Sequence, residues 1–148
     1  MEKPDTAINR FFQSYASASS SGDIPAIVSH FADVFMAAGP QGSRSAHAAD
    51  FALALPKRKQ LFDSLGCRST ALVSVQENQL DPRFTMVHTQ WEFTFVAEQS
   101  QPHLVLVDST FIVHTAPEAF KIVFYLANQD IMAILKERGL LPASDLAR

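Results

Sequence analysis

Residues 103–130 read HLVLVDSTFIVHT, then APEA, then FKIVFYLANQD, and this stretch decides the fold. Two runs rich in Val, Ile, Phe, Leu and Tyr flank a four-residue break that contains Pro117. β-Branched and aromatic residues fit a pleated, half-buried surface, and a Pro-containing break stops one run before the next begins. The stretch therefore predicts a β-hairpin of long strands. One carboxylate, Asp108, sits inside the first run between LVLV and STFIV. A carboxylate in a buried strand must be paired, neutralised or used, because burying it ionised and alone is costly. Asp108 is therefore the first candidate for chemistry.

Working upstream, Phe84–Val96 reads as another strand, with AEQSQP as its turn into the hairpin. Cys67–Glu77 alternates Ala71, Val73 and Val75 against Leu72, Ser74 and Gln76, which predicts a half-buried strand. Asn78–Arg83 joins the two as a turn. A helix is expected from about Pro56 to Gly66 with Leu61, Phe62 and Leu65 inward. Gln41–Ala49 is small and polar and reads as a loop, and Asp33–Ala38 is a short strand stopped by Gly39-Pro40.

At the start, Ile8, Phe11, Phe12, Tyr15 and Ala16 recur at helical spacing, with Pro4 and Asp5 before them and Gly22 after. Asp23 then caps a second helix with Pro25 in its first turn and Ile24, Ile27, Val28 and Phe31 as its apolar stripe. Downstream of the hairpin, Asp130 opens a last helix that ends near Arg138 with Ile131, Ile134 and Leu135 inward. Helices first and strands last argue for α+β, with helices on one face of a curved, mainly antiparallel sheet. Three helices do not close such long strands, and the space between is where a ligand fits.

Composition narrows the function. A chain of 148 residues, 47% hydrophobic, is expected to fold as a single domain, 1–148, around one core. Its net charge is −3, and Lys57-Arg58-Lys59 is the only basic run, so no nucleic-acid-binding face is expected. No apolar run is long enough for a membrane-spanning helix, and MEKPDTAINR lacks the apolar centre of a secretory signal. The lone Cys67 allows no internal disulfide, in keeping with an expected cytoplasmic location. No metal, dinucleotide or P-loop motif occurs, so neither metal nor cofactor is expected.

RFFQSYASASSSGDIPAIVSHFAD, together with VHTQWEFTFV, VDSTFIV and FKIVFYLANQD, resembles the nuclear-transport-factor-two-like (NTF2-like) superfamily. That superfamily includes ketosteroid isomerases, scytalone dehydratases and SnoaL-like polyketide cyclases. The resemblance covers nearly the whole chain and implies a cone-shaped, cystatin-like α+β fold, with the N-terminal helices packed on the concave face and a pocket between them. It says little about function, because this fold carries enzymes, binders and adaptors alike.

Laid against ketosteroid isomerases, Tyr15 falls at the place of their oxyanion-binding tyrosine and Asp108 at that of their protonated aspartic acid, a well-known case of a carboxyl kept neutral by an apolar site. The position of their proton-shuttling base is Gly39 here, so that activity is not expected. The comparison also sets Thr89, Trp91 and Phe93 on the concave face with Asp108, joined by Tyr125 and Gln129. Phe11, Phe35 and His30 complete the expected ligand-binding set. Ile122, Phe124, Leu126, Val107, Phe111 and Val113 would then form an apolar convex face, which implies a homodimer packed through the sheet.

Each candidate has two readings. Asp108 is either a pocket acid or base, or a structural carboxylate bonded to Tyr15 or Ser109. Tyr15 donates to a ligand or to Asp108, and Trp91 stacks on a flat ligand or is plain core. His30, His47, His88, His103 and His114 show no metal-ligand spacing; His47 lies near the pocket mouth if its loop folds over. Three functions stay open: a cofactor-free isomerase, cyclase or dehydratase using Asp108 and Tyr15; a non-catalytic binder of a small aromatic or polycyclic molecule; and an interaction module acting through the sheet face.

Overall fold

The computed structural model describes residues 6–96, 101–115 and 119–140. The element order is α1 (Ala7–Ser21), α2 (Ile24–Val28), β1 (Phe31–Gly39), β2 (Gly42–His47), α3 (Ala48–Ser64), β3 (Cys67–Asp81), β4 (Phe84–Phe95), β5 (His103–Thr115), β6 (Phe120–Ala127) and α4 (Ile131–Glu137). One six-stranded sheet runs β2-β1-β6-β5-β4-β3. Among the described residues only β1 and β6 pair in parallel; the other neighbours are antiparallel. The α+β class and the long hairpin β5–β6 are as expected; Pro117 and Glu118 of its turn lie outside the described residues.

The helices form where their caps and apolar stripes dictate. Thr6 caps α1 by accepting from the Asn9 N–H at 3.0 Å; Pro4 and Asp5, expected at the start of this helix, are outside the described residues. Gly22 ends the helix in the left-handed conformation. Asp23 caps α2 through the Ala26 N–H at 3.2 Å, and Asp130 caps α4 through Met132 and Ala133. Phe31, expected on α2, instead opens β1.

Three further boundaries differ from the sequence reading. Gln41–Ala49 is not a loop: Gly42–His47 is an edge strand hairpinned to β1, with Gly39 paired to Gly42. Small polar residues hide this strand because it is exposed on almost its whole length. The helix α3 begins at Ala48, not Pro56, and carries Pro56 inside it. Proline forfeits one backbone bond there, and the extra turns bring Phe51 and Leu55 onto the core. Finally, β3 runs on to Asp81, leaving only Pro82-Arg83 as turn, where the Asp81 carboxylate accepts from the backbone N–H groups of Arg83 and Phe84 at 2.7 and 2.9 Å.

Gly66 joins α3 to β3 at φ +86°, and a Cβ there would lie 2.4 Å from the Val96 carbonyl oxygen. No other residue fits that close approach without moving backbone. The Val96 N–H bonds the Gly66 carbonyl at 2.8 Å, so this glycine fastens the end of β4 against the foot of α3.

The β4–β5 register decides which side chains face the helices. Trp91 stands opposite Val107, Thr89 opposite Ser109 and Phe93 opposite Val105, while Gln90 stands opposite Asp108. Directly paired residues share a face. The inner face therefore holds Val87, Trp91, Phe93, Phe95, Val105, Val107, Phe111 and Val113, all buried. Asp108 is on the outer face and exposed. This corrects the expectation that Asp108 shares the face of Thr89 and Trp91. It also moves Val107, Phe111, Val113 and Ile122 inward, leaving Phe124 and Leu126 outside opposite Ile112 and Thr110. A bulge between Ile112 and Val113 lets both Ile122 and Tyr125 of β6 point inward, although they are an odd number of residues apart.

Two clusters of buried residues fill the space between this inner face and the helices. Ile8, Phe12, Ile27, Phe31 and Phe35 pack with Val87, Phe111, Val113 and Ile122 at one end; Phe62, Leu65 and Leu135 pack with Trp91, Phe93, Phe95, Val105 and Val107 at the other. Each fully buried phenylalanine, such as Phe12, contributes about 1.5–3 kcal/mol over leaving it in water. Tyr15 touches both clusters and stands at their junction.

Candidate functional site

A cavity of about 660 Å³ lies at this junction. Its deep wall is aromatic and apolar: Phe31, Phe35, Trp91, Phe93, Val107 and Phe111 are buried, with Tyr15 and Tyr125 beside them. Its outer rim is exposed and polar, including Arg44, His47, Asp50, Arg58, Lys59 and Arg68. This volume suits a small organic molecule.

Tyr15 is held by rings on several sides. Its centroid lies 5.5 Å from His30, 5.8 Å from Phe31, 5.8 Å from Trp91 and 5.9 Å from Phe111. Most contacts are edge-to-face, the geometry aromatic quadrupoles prefer. Burial pushes its phenol far above the usual tyrosine range; the neighbouring Tyr125 adds to the rise and Arg58 opposes it. Tyr15 is thus a neutral hydroxyl at any ordinary pH. Among the described residues no protein group hydrogen-bonds this hydroxyl, and no enclosed polar side-chain atom is left without a partner. The hydroxyl accordingly faces the cavity, which is also why the ring is surrounded by protein yet not sealed from solvent.

Trp91 is fixed by a relay of hydrogen bonds. Its indole N–H donates to Thr89 Oγ1 at 2.8 Å, and the Thr89 hydroxyl donates to the Ser109 carbonyl at 3.1 Å. Thr89, expected to touch ligand, is instead 3% exposed and does not line the cavity. It satisfies the buried indole and sets the plane of its ring.

Of the other expected ligand-binding residues, Phe35, Phe93, Tyr125 and Gln129 line the cavity, as does His47, placed near the mouth by the sequence reading. Phe11 and His30 do not. Phe11 packs its ring against Phe12, His30 and Phe120, behind α1. His30 is buried with Nδ1 2.7 Å from the Ala26 carbonyl and Nε2 3.2 Å from Ser14 Oγ. Burial lowers its pKa, against the backbone bonds to Ala26 and Ile27, with nearby Lys121 lowering it further. It is a neutral structural histidine, Nδ1–H donating to the carbonyl.

Asp108 does not reach this site. Among the described residues its carboxylate accepts only a long bond from Gln90 Nε2 at 3.4 Å, while its backbone N–H donates to Gln129 Oε1 at 2.8 Å. It neighbours His88, Thr110 and Asn128 on the outer face, where the Thr110 hydroxyl donates to Asn128 and accepts from His88. The pairing with Tyr15 or with the Ser109 hydroxyl does not form.

The residues the sequence reading missed lie mainly on α3. Phe51, Leu55, Arg58 and Phe62 line the cavity at spacings of four, three and four, one continuous helical stripe. That periodicity is present in the sequence, but Pro56 reads as a helix start and hides its first half. Cys67 also lines the cavity, and burial raises its thiol pKa, which disfavours the thiolate. Among the described residues no group of His, Cys, Asp and Glu is placed to hold a metal, and no helix is long and apolar enough to cross a membrane.

Three solved structures show what the architecture is similar to. An NTF2-like protein with a cystatin-like fold from Novosphingobium aromaticivorans matches with a TM-score of 0.67 at 13% identity, over 91% of this chain and 86% of the other. Aln2 from a Streptomyces species matches at 0.70 and 8% identity, over 92% and 99%. A ketosteroid isomerase-like protein from Erwinia carotovora atroseptica matches at 0.63 and 16% identity, over 82% and 92%. No protein-family model matches the chain, and no curated protein matches it. The chain has the NTF2-like, cystatin-like fold, as the resemblance in its sequence implied. Identities this low establish architecture and leave function to the site.

Proposed function

We propose that this chain, as a single domain, binds a small, flat aromatic or polycyclic organic molecule in the cavity between the helices and the inner sheet face. The observation that carries the reading is the Tyr15 hydroxyl: a neutral donor with no hydrogen-bond partner among the described residues, set in an aromatic wall. A ligand oxygen accepting from Tyr15 while its rings lie against Trp91 and Tyr125 satisfies both features. Binding without turnover is favoured over acid–base catalysis because the carboxylate expected to do that work, Asp108, is on the far side of the sheet. The rim carboxylate Asp63 is tied to Lys59 at 3.1 Å. An interaction module needs no such open cavity.

Trp91 is the only tryptophan, so its emission reports the site directly. Titration with the neutral probe N-phenyl-1-naphthylamine is expected to quench Trp91 saturably, with one probe per chain. Unchanged emission at saturating probe overturns the reading.

For assembly, the outer sheet face supports a homodimer. Met36, Phe124 and Ile112 lie in one cross-strand row, and Leu104 and Leu106 are 52% and 47% exposed on the same face. Phe124→Glu is expected to convert a dimer to monomer on analytical ultracentrifugation; an unchanged mass refutes this interface.

A further inference from the structure

The apolar stripe of α3 contains one charge. Arg58 stands between Leu55 and Phe62 on the face that lines the cavity, with its guanidinium carbon 4.7 Å from the centre of the Phe62 ring. Stacking on an aromatic face holds the planar guanidinium without using its N–H donors. Arg44 on β2 and Arg68 on β3 reach the same rim from two other elements. Among the described residues none of these three arginines forms an ion pair, whereas Lys59 is matched by Asp63 and Arg83 by Asp81. The rim as described carries four cations, Arg44, Arg58, Lys59 and Arg68, against two carboxylates, Asp50 and Asp63. It is therefore positive in a chain whose net charge is −3. The Arg58 charge is felt inside, since it opposes the rise in the Tyr15 and Cys67 pKa values.

Resting on the binding reading above, we propose that the ligand is an organic acid: an aromatic body seated against Trp91 and Tyr125, with a carboxylate held at the rim by Arg58 and assisted by Arg44 and Arg68. A guanidinium offers two parallel N–H donors to a carboxylate, and such charge-assisted bonds are stronger than neutral ones. The low-dielectric walls behind the rim strengthen the attraction further.

The test uses two probes of the same shape, 2-naphthoate and its neutral amide 2-naphthamide, titrated into the full chain with Trp91 emission and calorimetry as readouts. The acid is expected to bind at least about tenfold more tightly than the amide, and the preference to shrink as salt rises. Arg58→Gln is expected to weaken 2-naphthoate about tenfold while changing 2-naphthamide less than about twofold, and Arg58→Lys to restore part of the loss. Arg58 is exposed, so its replacement leaves the core intact; Arg44→Gln, on another element, provides a second and smaller loss of the same kind. Equal affinity for acid and amide overturns the organic-acid proposal while leaving the cavity as a binding site. An Arg58→Gln effect equal on both probes overturns the role of Arg58. Binding of neither probe overturns the cavity reading and this proposal with it.

Discussion

The Tyr15 ring stands edge-on to the Trp91 indole, with centroids 5.8 Å apart and planes at 86°. One residue comes from the first helix and the other from the middle of the sheet, and their meeting point is where the two core clusters join. The tyrosine hydroxyl is left facing the cavity while the indole N–H is turned away into Thr89. In the proposed binding mode this division of labour gives Tyr15 the polar contact to the ligand and leaves Trp91 as a flat apolar wall.

Tyr15→Phe is expected to keep the fold, because the hydroxyl bonds no described protein group and the ring contacts remain. Its stability should lie within about 0.5 kcal/mol of the parent in urea denaturation. The affinity for a ligand that carries an oxygen acceptor should drop by about 0.5–1.5 kcal/mol, the net worth of one hydrogen bond. A stability loss well above that range shows instead a structural bond.

Thr89→Val preserves shape and removes the acceptor of the Trp91 N–H. With the indole buried and its donor unsatisfied, a loss of about 1–3 kcal/mol is expected in chemical denaturation. Altered Trp91 emission should accompany it. An unchanged stability means that the relay through Thr89 to Ser109 is not what fixes the indole.

Asp108→Asn tests which side of the sheet matters. The carboxylate is exposed and makes one long bond to Gln90, so both stability and probe binding should stay close to the parent, within about 0.5 kcal/mol. Lost probe binding contradicts its placement on the outer face.

His30 links stability to pH. Burial holds its folded-state pKa below the ordinary value of 6.5, so below that pH the unfolded chain takes up a proton that the folded chain refuses. The stabilisation is full above about pH 6.5 and is lost as pH falls toward the depressed folded pKa. Urea midpoints are expected to fall between pH 7.5 and 5.5, and His30→Gln should flatten that dependence. An equally steep fall in the variant assigns the effect to other groups.

Much of the fold was legible because its long strands and capped helices obey local rules. Asp23 and Asp130 cap where their side chains reach the next N–H groups, and Phe84–Phe95 alternates buried and less buried residues along its length. The edge strand Gly42–His47 was not legible, since an exposed strand has no apolar row to announce it. The helix through Pro56 was missed because proline is a strong stop signal that packing overrode here.

The candidate site was half legible. Tyr15, Phe35, Trp91, Phe93, Tyr125 and Gln129 line the cavity as expected. Asp108 was misplaced because β5 is apolar on both faces, and the resemblance to ketosteroid isomerases outweighed the strand's own pattern. Its odd-numbered row, Val105, Val107, Ser109, Phe111 and Val113, is the more apolar of the two and faces inward. In the sequence Arg58 stands out only as part of the basic run Lys57-Arg58-Lys59, because only the position of α3 shows that it shares a stripe with Leu55 and Phe62.

The space beside Tyr15 and Trp91 is proposed as a ligand site, and a crystal structure of the chain grown with 2-naphthamide tests that proposal. Density is expected for the two fused rings inside the cavity, against Trp91 and Tyr125. Clear density for the probe on the outer sheet face, with the cavity empty or closed by its own side chains, contradicts it.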